Sequence, residues 1–153
     1  MRAVVQRVKS ASVTVEGDEV ARIGAGLLCL IGIRAEDGTK DAEFVCRKIL
    51  NGRLFTNKST GRSWDQSVMQ QEQDVLCVSQ FTLFNVLKGN KPDFHLAMQP
   101  EQAREFYHSF VDSLRQQYSA QKVHDGRFGA RMDVSLVNDG PVTIILDSET
   151  PKG

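Results

Sequence analysis

The sequence predicts a single-domain α/β fold in which largely antiparallel, barrel-like β-sheets are covered by two amphipathic helices. Three observations carry that expectation. Alternating apolar stretches dominate both ends of the chain, two segments of helical apolar spacing lie between them, and no repeat or Pro/Gly/Ser-rich linker divides the 153 residues. A chain of this size buries about two-thirds of its unfolded surface as one domain. We assign that domain to residues 1–147, with a flexible tail at 148–153.

The elements follow in order. Ala3, Val5 and Arg7 alternate with Val4, Gln6 and Val8, so one face of the first strand carries Arg7 among apolar neighbours; Val13 and Val15 continue it. Gly17-Asp18 turns the chain into Glu19–Ile23, and Gly24–Gly26 turns it again into the apolar run Leu27–Ile33. The first quarter therefore reads as an antiparallel meander. Ala42, Val45, Cys46, Ile49 and Leu50 recur at helical spacing and predict a helix from about Thr39 to Asn51, stopped by Gly52. Arg53-Leu54-Phe55 reads as a short strand, 57–65 as a polar loop and Asp74–Ser79 as a strand. Pro100 suits the first position of a second helix, whose stripe of Ala103, Phe106, Tyr107, Phe110 and Leu114 runs to about Tyr118. Met132, Val134 and Leu136 alternate in a strand, and Val142–Leu146 supplies the last.

Composition narrows the function. Apolar residues make up 41% and charged residues 25%, ordinary values for a globular protein. No apolar run reaches the roughly 18–20 residues of a membrane span, and the N-terminus enters strand pattern directly instead of a signal sequence. A cytoplasmic protein with no membrane partner is expected. Cys29, Cys46 and Cys77 are odd in number, far apart and flanked by apolar residues, which fits buried free thiols and neither disulfides nor zinc. Net charge is zero, so no global field draws in nucleic acid. An RNA substrate would be gripped over a small part only.

Two short polar interruptions at strand edges carry the chemistry. Ser79-Gln80-Phe81-Thr82-Leu83 follows Val75–Val78; Asn138-Asp139-Gly140-Pro141-Val142-Thr143 leads into Ile144–Leu146. Read alone, Ser79–Thr82 is a turn whose hydroxyls bond their own backbone or a ligand loop on a rigid scaffold. A nucleophilic Ser79 or Thr82 needs a general base in reach, and none of His95, His108 and His124 stands at an established spacing. Asn138–Gly140 is rich in turn formers, and a Gly–Pro bond is trans by default. Lys88-Gly89-Asn90-Lys91-Pro92 is either a solvated loop or a phosphate and ribose contact. Arg127, Phe128, Gly129 and Arg131 form a small basic-aromatic cluster in which Phe128 could stack on a base. Trp64 reads equally as a core cap. No carboxylate pair has metal or glycosidase spacing, and Gly24-Ala25-Gly26 lacks the rest of a phosphate-loop signature.

Ser79–Leu83 with Asn138–Thr143, the opening Met1–Val8, Lys88–Phe94, and Phe128-Gly129-Ala130 with Met132 together resemble the D-aminoacyl-tRNA deacylases over nearly the whole chain. The wording of Leu87–Met98 looks like eukaryotic members; bacterial relatives usually carry Arg-Pro-Ser where this chain has Lys91-Pro92-Asp93, and Lys does not reproduce a bidentate Arg contact. The resemblance implies a homodimeric carboxylic ester hydrolase with no cofactor and no metal, acting on the aminoacyl-tRNA acceptor end. It implies that Ser79, Gln80, Phe81 and Thr82 line the scissile ester, with a backbone N–H near Phe81 facing the carbonyl oxygen. It implies that Gly140-Pro141 is a cis pair reaching into the partner's pocket to exclude L side chains, with Arg7 holding it and Met132 sharing in substrate binding and chiral selection. Lys88, Gly89, Lys91, Phe128 and Arg131 would meet the tRNA 3′ end. The ribose 2′-OH would assist the water, and glycine misattached to the alanine tRNA would also be cleaved. A subtype preferring L-alanine on the threonine tRNA lacks the Ser79–Leu83 wording. Two competitors stand beside this reading: a hydrolase with Thr82 as covalent nucleophile, and a non-catalytic module binding nucleic-acid ends.

Overall fold

Strand β1 (Arg2–Val15) organises the molecule because both of its edges are used. The computed structural model describes residues 1–149; of the expected tail, 150–153 lie outside the described residues. Ser148 is tied down, its N–H donating to the Met1 carbonyl and its hydroxyl donating to Asp41. Along one edge of β1 runs β8 (Asp133–Asp147) for nearly its full length. The other edge is shared end to end by β2 (Asp18–Ile23), opposite Ala11–Val15, and β3 (Gly26–Gly32), opposite Arg2–Val8.

The expected meander is thus corrected: β3 lies beside β1, not beside β2. Against β8 the register of β1 has an irregularity around Arg7 and Lys9. Before it Ala3 and Val5 face one apolar cluster, and after it Val8, Ala11 and Val13 face another. A bulge re-aims the side chains that follow it, so one strand serves two layers.

The sheet continues through β3 to β4 (Asp74–Ser79) and β7 (Val123–Asp125), both added in parallel. Parallel strands here are covered on both faces, which accounts for the unbroken apolar run in β3. Leu27, Cys29 and Ile31 face the helices with Val75 and Cys77, while Leu28 packs with Leu76 and Val78 in the second cluster. Two helices close the first face. In α1 (Thr39–Asn51) the Asp41 carboxylate accepts from the Gly38 N–H at the start, and the Gly52 N–H bonds to Lys48 at the end. In α2 (Pro100–Gln117) Tyr107, Phe110 and Leu114 are fully buried, each worth about 1.5–3 kcal/mol.

Three other expectations are corrected. Arg53–Phe55 forms no strand; Phe55 makes one isolated bridge to Gln66. The expected separate strands on either side of Asn138–Gly140 are one strand, β8, with an excursion. Trp64 is 59% exposed, at φ 54°, and does not cap the core.

Cys29, Cys46 and Cys77 are free and buried, and desolvation pushes each thiol above its ordinary value. A disulfide-exchange reagent at mildly alkaline pH is expected to titrate none of them in the native protein and all of them after unfolding in guanidinium. A fast native thiol would contradict the burial.

Candidate functional site

The end of β4 sets the site. As the strand leaves the sheet, the Gln80 N–H still bonds to the Ile31 carbonyl at 2.7 Å, and the chain then tightens into a 3-10 turn, Phe81–Leu83. Within that turn the N–H of Leu83 bonds to Gln80 and that of Phe84 to Phe81. The two N–H groups at its start, on Phe81 and Thr82, donate to no protein acceptor among the described residues, as expected for the first donors of a helical turn.

Beside them opens a cavity of about 620 Å³. Ser79, Gln80 and Phe81 form one wall, and Phe128, Ala130 and Met132 another. Residues from two separate parts of the sequence wording therefore meet. The remaining wall is Phe94, Ala97 and the start of α2 at Gln99, Pro100 and Ala103. Of these, sequence reasoning assigned no site role to Ala97, Gln99, Pro100 or Ala103, since small apolar and surface polar side chains advertise no chemistry. Phe81 is 59% exposed and meets Phe94 edge-on, ring centres 5.0 Å apart. Another concavity, on the outer face of α2 around His108 and Asp112, contains none of the expected residues.

Thr82 does not line the cavity; its hydroxyl accepts a 2.5 Å hydrogen bond from the Gln80 amide. No histidine is bonded to Ser79 or Thr82. His95 is held by Asp93, His124, in β7, lies 3.7 Å from Asp74, and His108 is exposed on α2. Among the described residues no group of His, Cys, Asp and Glu could hold a metal.

Lys88, Gly89 and Lys91 are exposed in a hairpin, β5 (Val86–Lys88) and β6 (Lys91–Asp93), not in an irregular loop. Asp93 pins its base: it accepts from the His95 backbone and ring and pairs with Lys88 at 3.3 Å. Those bonds, from His95 foremost, hold the Asp93 carboxyl at about 2, so it stays ionised at neutral pH. Arg131 is exposed next to Met132.

Gly140, Pro141 and Arg7 form a second cluster away from this cavity. Gln6 pairs with Thr143 and Val8 with Asn138, so residues 139–142 all stand opposite Arg7. The chain bows outward there, and the Gly140–Pro141 bond is cis. Arg7 fills the gap beneath, its Nε donating to the Asp139 carbonyl at 3.0 Å and Nη1 to the Leu54 carbonyl at 2.6 Å. Asn138 closes the bow by accepting from the Val142 N–H at 2.8 Å. Gly140 and Pro141 are exposed and line no part of their own chain's cavity.

Residues 4–147 match the family model described as D-Tyr-tRNA(Tyr) deacylase. The chain is 55% identical over 149 residues to a D-aminoacyl-tRNA deacylase of Dictyostelium discoideum, covering 97% of this chain and 99% of that one. It is 57% identical over 151 residues to D-aminoacyl-tRNA deacylase 1 of Mus musculus, covering 99% and 72%. The solved structure titled c-Myc DNA Unwinding Element Binding Protein superposes with a TM-score of 0.93 at 55% identity, covering 99% and 100%. A probable eukaryotic D-amino acid tRNA deacylase superposes with a TM-score of 0.83 at 19% identity, covering 95% and 97%; that likeness concerns the fold alone.

Proposed function

The chain belongs to the D-Tyr-tRNA(Tyr) deacylase family and is a D-aminoacyl-tRNA deacylase, and on that premise we propose that it is a cytoplasmic homodimer that hydrolyses the ester by main-chain positioning, without a side-chain nucleophile. The carrying observation is the pair of free N–H groups on Phe81 and Thr82 beside a cavity walled by Ser79, Gln80 and Phe81. Donors aimed at the ester carbonyl oxygen stabilise the charge that develops as water adds, each by roughly 3–4 kcal/mol. An aminoacyl ester is already activated, so orientation and these donors suffice. The substrate's own ribose 2′-OH assists the water, and the C–O bond breaks to give a free carboxylate and the 3′-OH.

In this reading the terminal base stacks on Phe128 over Met132, and Lys88, Gly89, Lys91 and Arg131 meet the backbone beyond it. Gly140 and Pro141 reach from the partner subunit, held by Arg7, and their carbonyls take the substrate ammonium while leaving no room for an L side chain. The outward bow of 139–142, remote from its own cavity, supports a role completed by a second copy. Selection by a wall accepts any D residue and also glycine, including glycine on the alanine tRNA; it needs a stiff wall, which the Arg7 and Asn138 bonds supply.

Incubation with D-tyrosyl- and L-tyrosyl-tRNA tests the proposal. Free D-tyrosine is expected and the L ester is expected to survive. Thr82→Ala should keep turnover within about tenfold, since it removes a hydroxyl that only receives the Gln80 amide. A loss of roughly a thousandfold or more with fold and affinity intact would assign a covalent role to Thr82. Binding without release of amino acid would leave a non-catalytic module.

A further inference from the structure

Phe128 packs among Tyr107, His108 and Arg104. Tyr107, buried and donating its hydroxyl to Asp125 at 2.5 Å, lies against the ring with centres 5.6 Å apart. The Arg104 guanidinium, from the second turn of α2, stands 5.1 Å from the ring centre. Its Nη2 is also close to the backbone at Gly129, 3.5 Å from where a Cβ would sit. Ala103, Phe128 and Gly129 all border the cavity, so Arg104 stands at its rim.

Six arginines of the chain are engaged by acids, and Arg104, like Arg47, Arg53, Arg127 and Arg131, is not. Arg2, Arg7, Arg22, Arg34, Arg62 and Arg115 each face a carboxylate. Among the described residues Arg104 faces none. A guanidinium stacked on an aromatic face keeps its in-plane N–H fork free, and that fork matches the oxygens of a phosphodiester.

We propose that Arg104 is a phosphate-contacting residue: stacked on Phe128, it pairs with a phosphodiester of the single-stranded 3′ end whose last nucleoside enters the cavity. The inference rests on the deacylase reading for the direction in which the strand enters. One side chain then joins two tasks, holding the stacking ring and fixing the strand that feeds it.

The test is binding of an uncharged CCA-ended RNA by anisotropy, across about 50–200 mM salt. Arg104→Ala is expected to weaken binding roughly tenfold at low salt and to reduce the slope of log Kd against log salt by about 0.7, the single-strand value for one phosphate contact. Arg104→Lys should retain the slope and lose part of the affinity, because an ammonium neither forks nor stacks as a guanidinium does. An unchanged slope in Arg104→Ala, an equal loss at every salt concentration, or no RNA binding by the native protein would overturn the proposal. If this binding pattern holds while the native protein releases no amino acid from D-tyrosyl-tRNA, the deacylase reading fails and the Arg104 contact stands.

Discussion

Gly26→Ala is expected to cost roughly 4 kcal/mol or more and to leave little folded protein at 37 °C. Gly26 opens β3 between β1 and β4, opposite Val8 on one side and Asp74 on the other. A Cβ there would stand 1.9 Å from the Asp74 carbonyl oxygen and 2.8 Å from its carbon. Both are backbone atoms of the first residue of β4, so no rotamer change relieves the overlap. The strands must part, and the residues they bury move with them. At about 2–4 °C per kcal/mol for a chain of this size, Tm should fall by roughly 10 °C or more. Gly24→Ala is the control: nothing lies within 4 Å of its Cβ position, and its effect should stay within about 0.5 kcal/mol. Calorimetry of the two variants separates them, and equal melting temperatures would contradict the packing described at β3.

Gly140→Ala should leave the melting temperature within a few degrees of the parent while lowering D-tyrosyl-tRNA turnover by about a hundredfold. At φ 151° an added Cβ would come within 2.7 Å of both the Val142 nitrogen and its Cγ2. Val142 is buried and its N–H is held by Asn138, so the exposed bow is the part that shifts. In the proposed dimer that bow is the wall of the partner's pocket. Its displacement should therefore also narrow the preference for D over L esters. Turnover of both enantiomers, measured side by side, decides the matter. Full D activity with the L ester still refused would remove the bow from the mechanism.

The helices were legible because each carries both a period and its own punctuation: Pro100 begins one and Gly52 follows the other, and the observed limits agree. Strand partners were not legible. That β2 and β3 share one edge of β1 leaves no mark in the alternation, which also does not register the slips of β1 against β8 at Arg7 and Lys9. β7 is three residues long and owes its existence to β4 beside it. At the site, the 3-10 turn showed itself as a polar break after an apolar strand. The far wall did not, because Ala97 and Ala103 contribute shape rather than reactivity. Arg104 was invisible for another reason: on a helix of mixed charge one more arginine reads as solvated surface until the ring beneath it is known.

The length of β8 carries one further consequence. Among the described residues it pairs with β1 alone, so the opposite margin of a fifteen-residue strand presents peptide groups without a sheet partner. A straight margin of that extent templates further strands and invites fibrous aggregation. The bow at 139–142 breaks its flatness, Pro141 withholds an N–H there, and Asp133 adds a negative charge at its start. The kink proposed above to choose substrates thus also guards against edge pairing, and straightening it would expose a surface on which misassembly could begin.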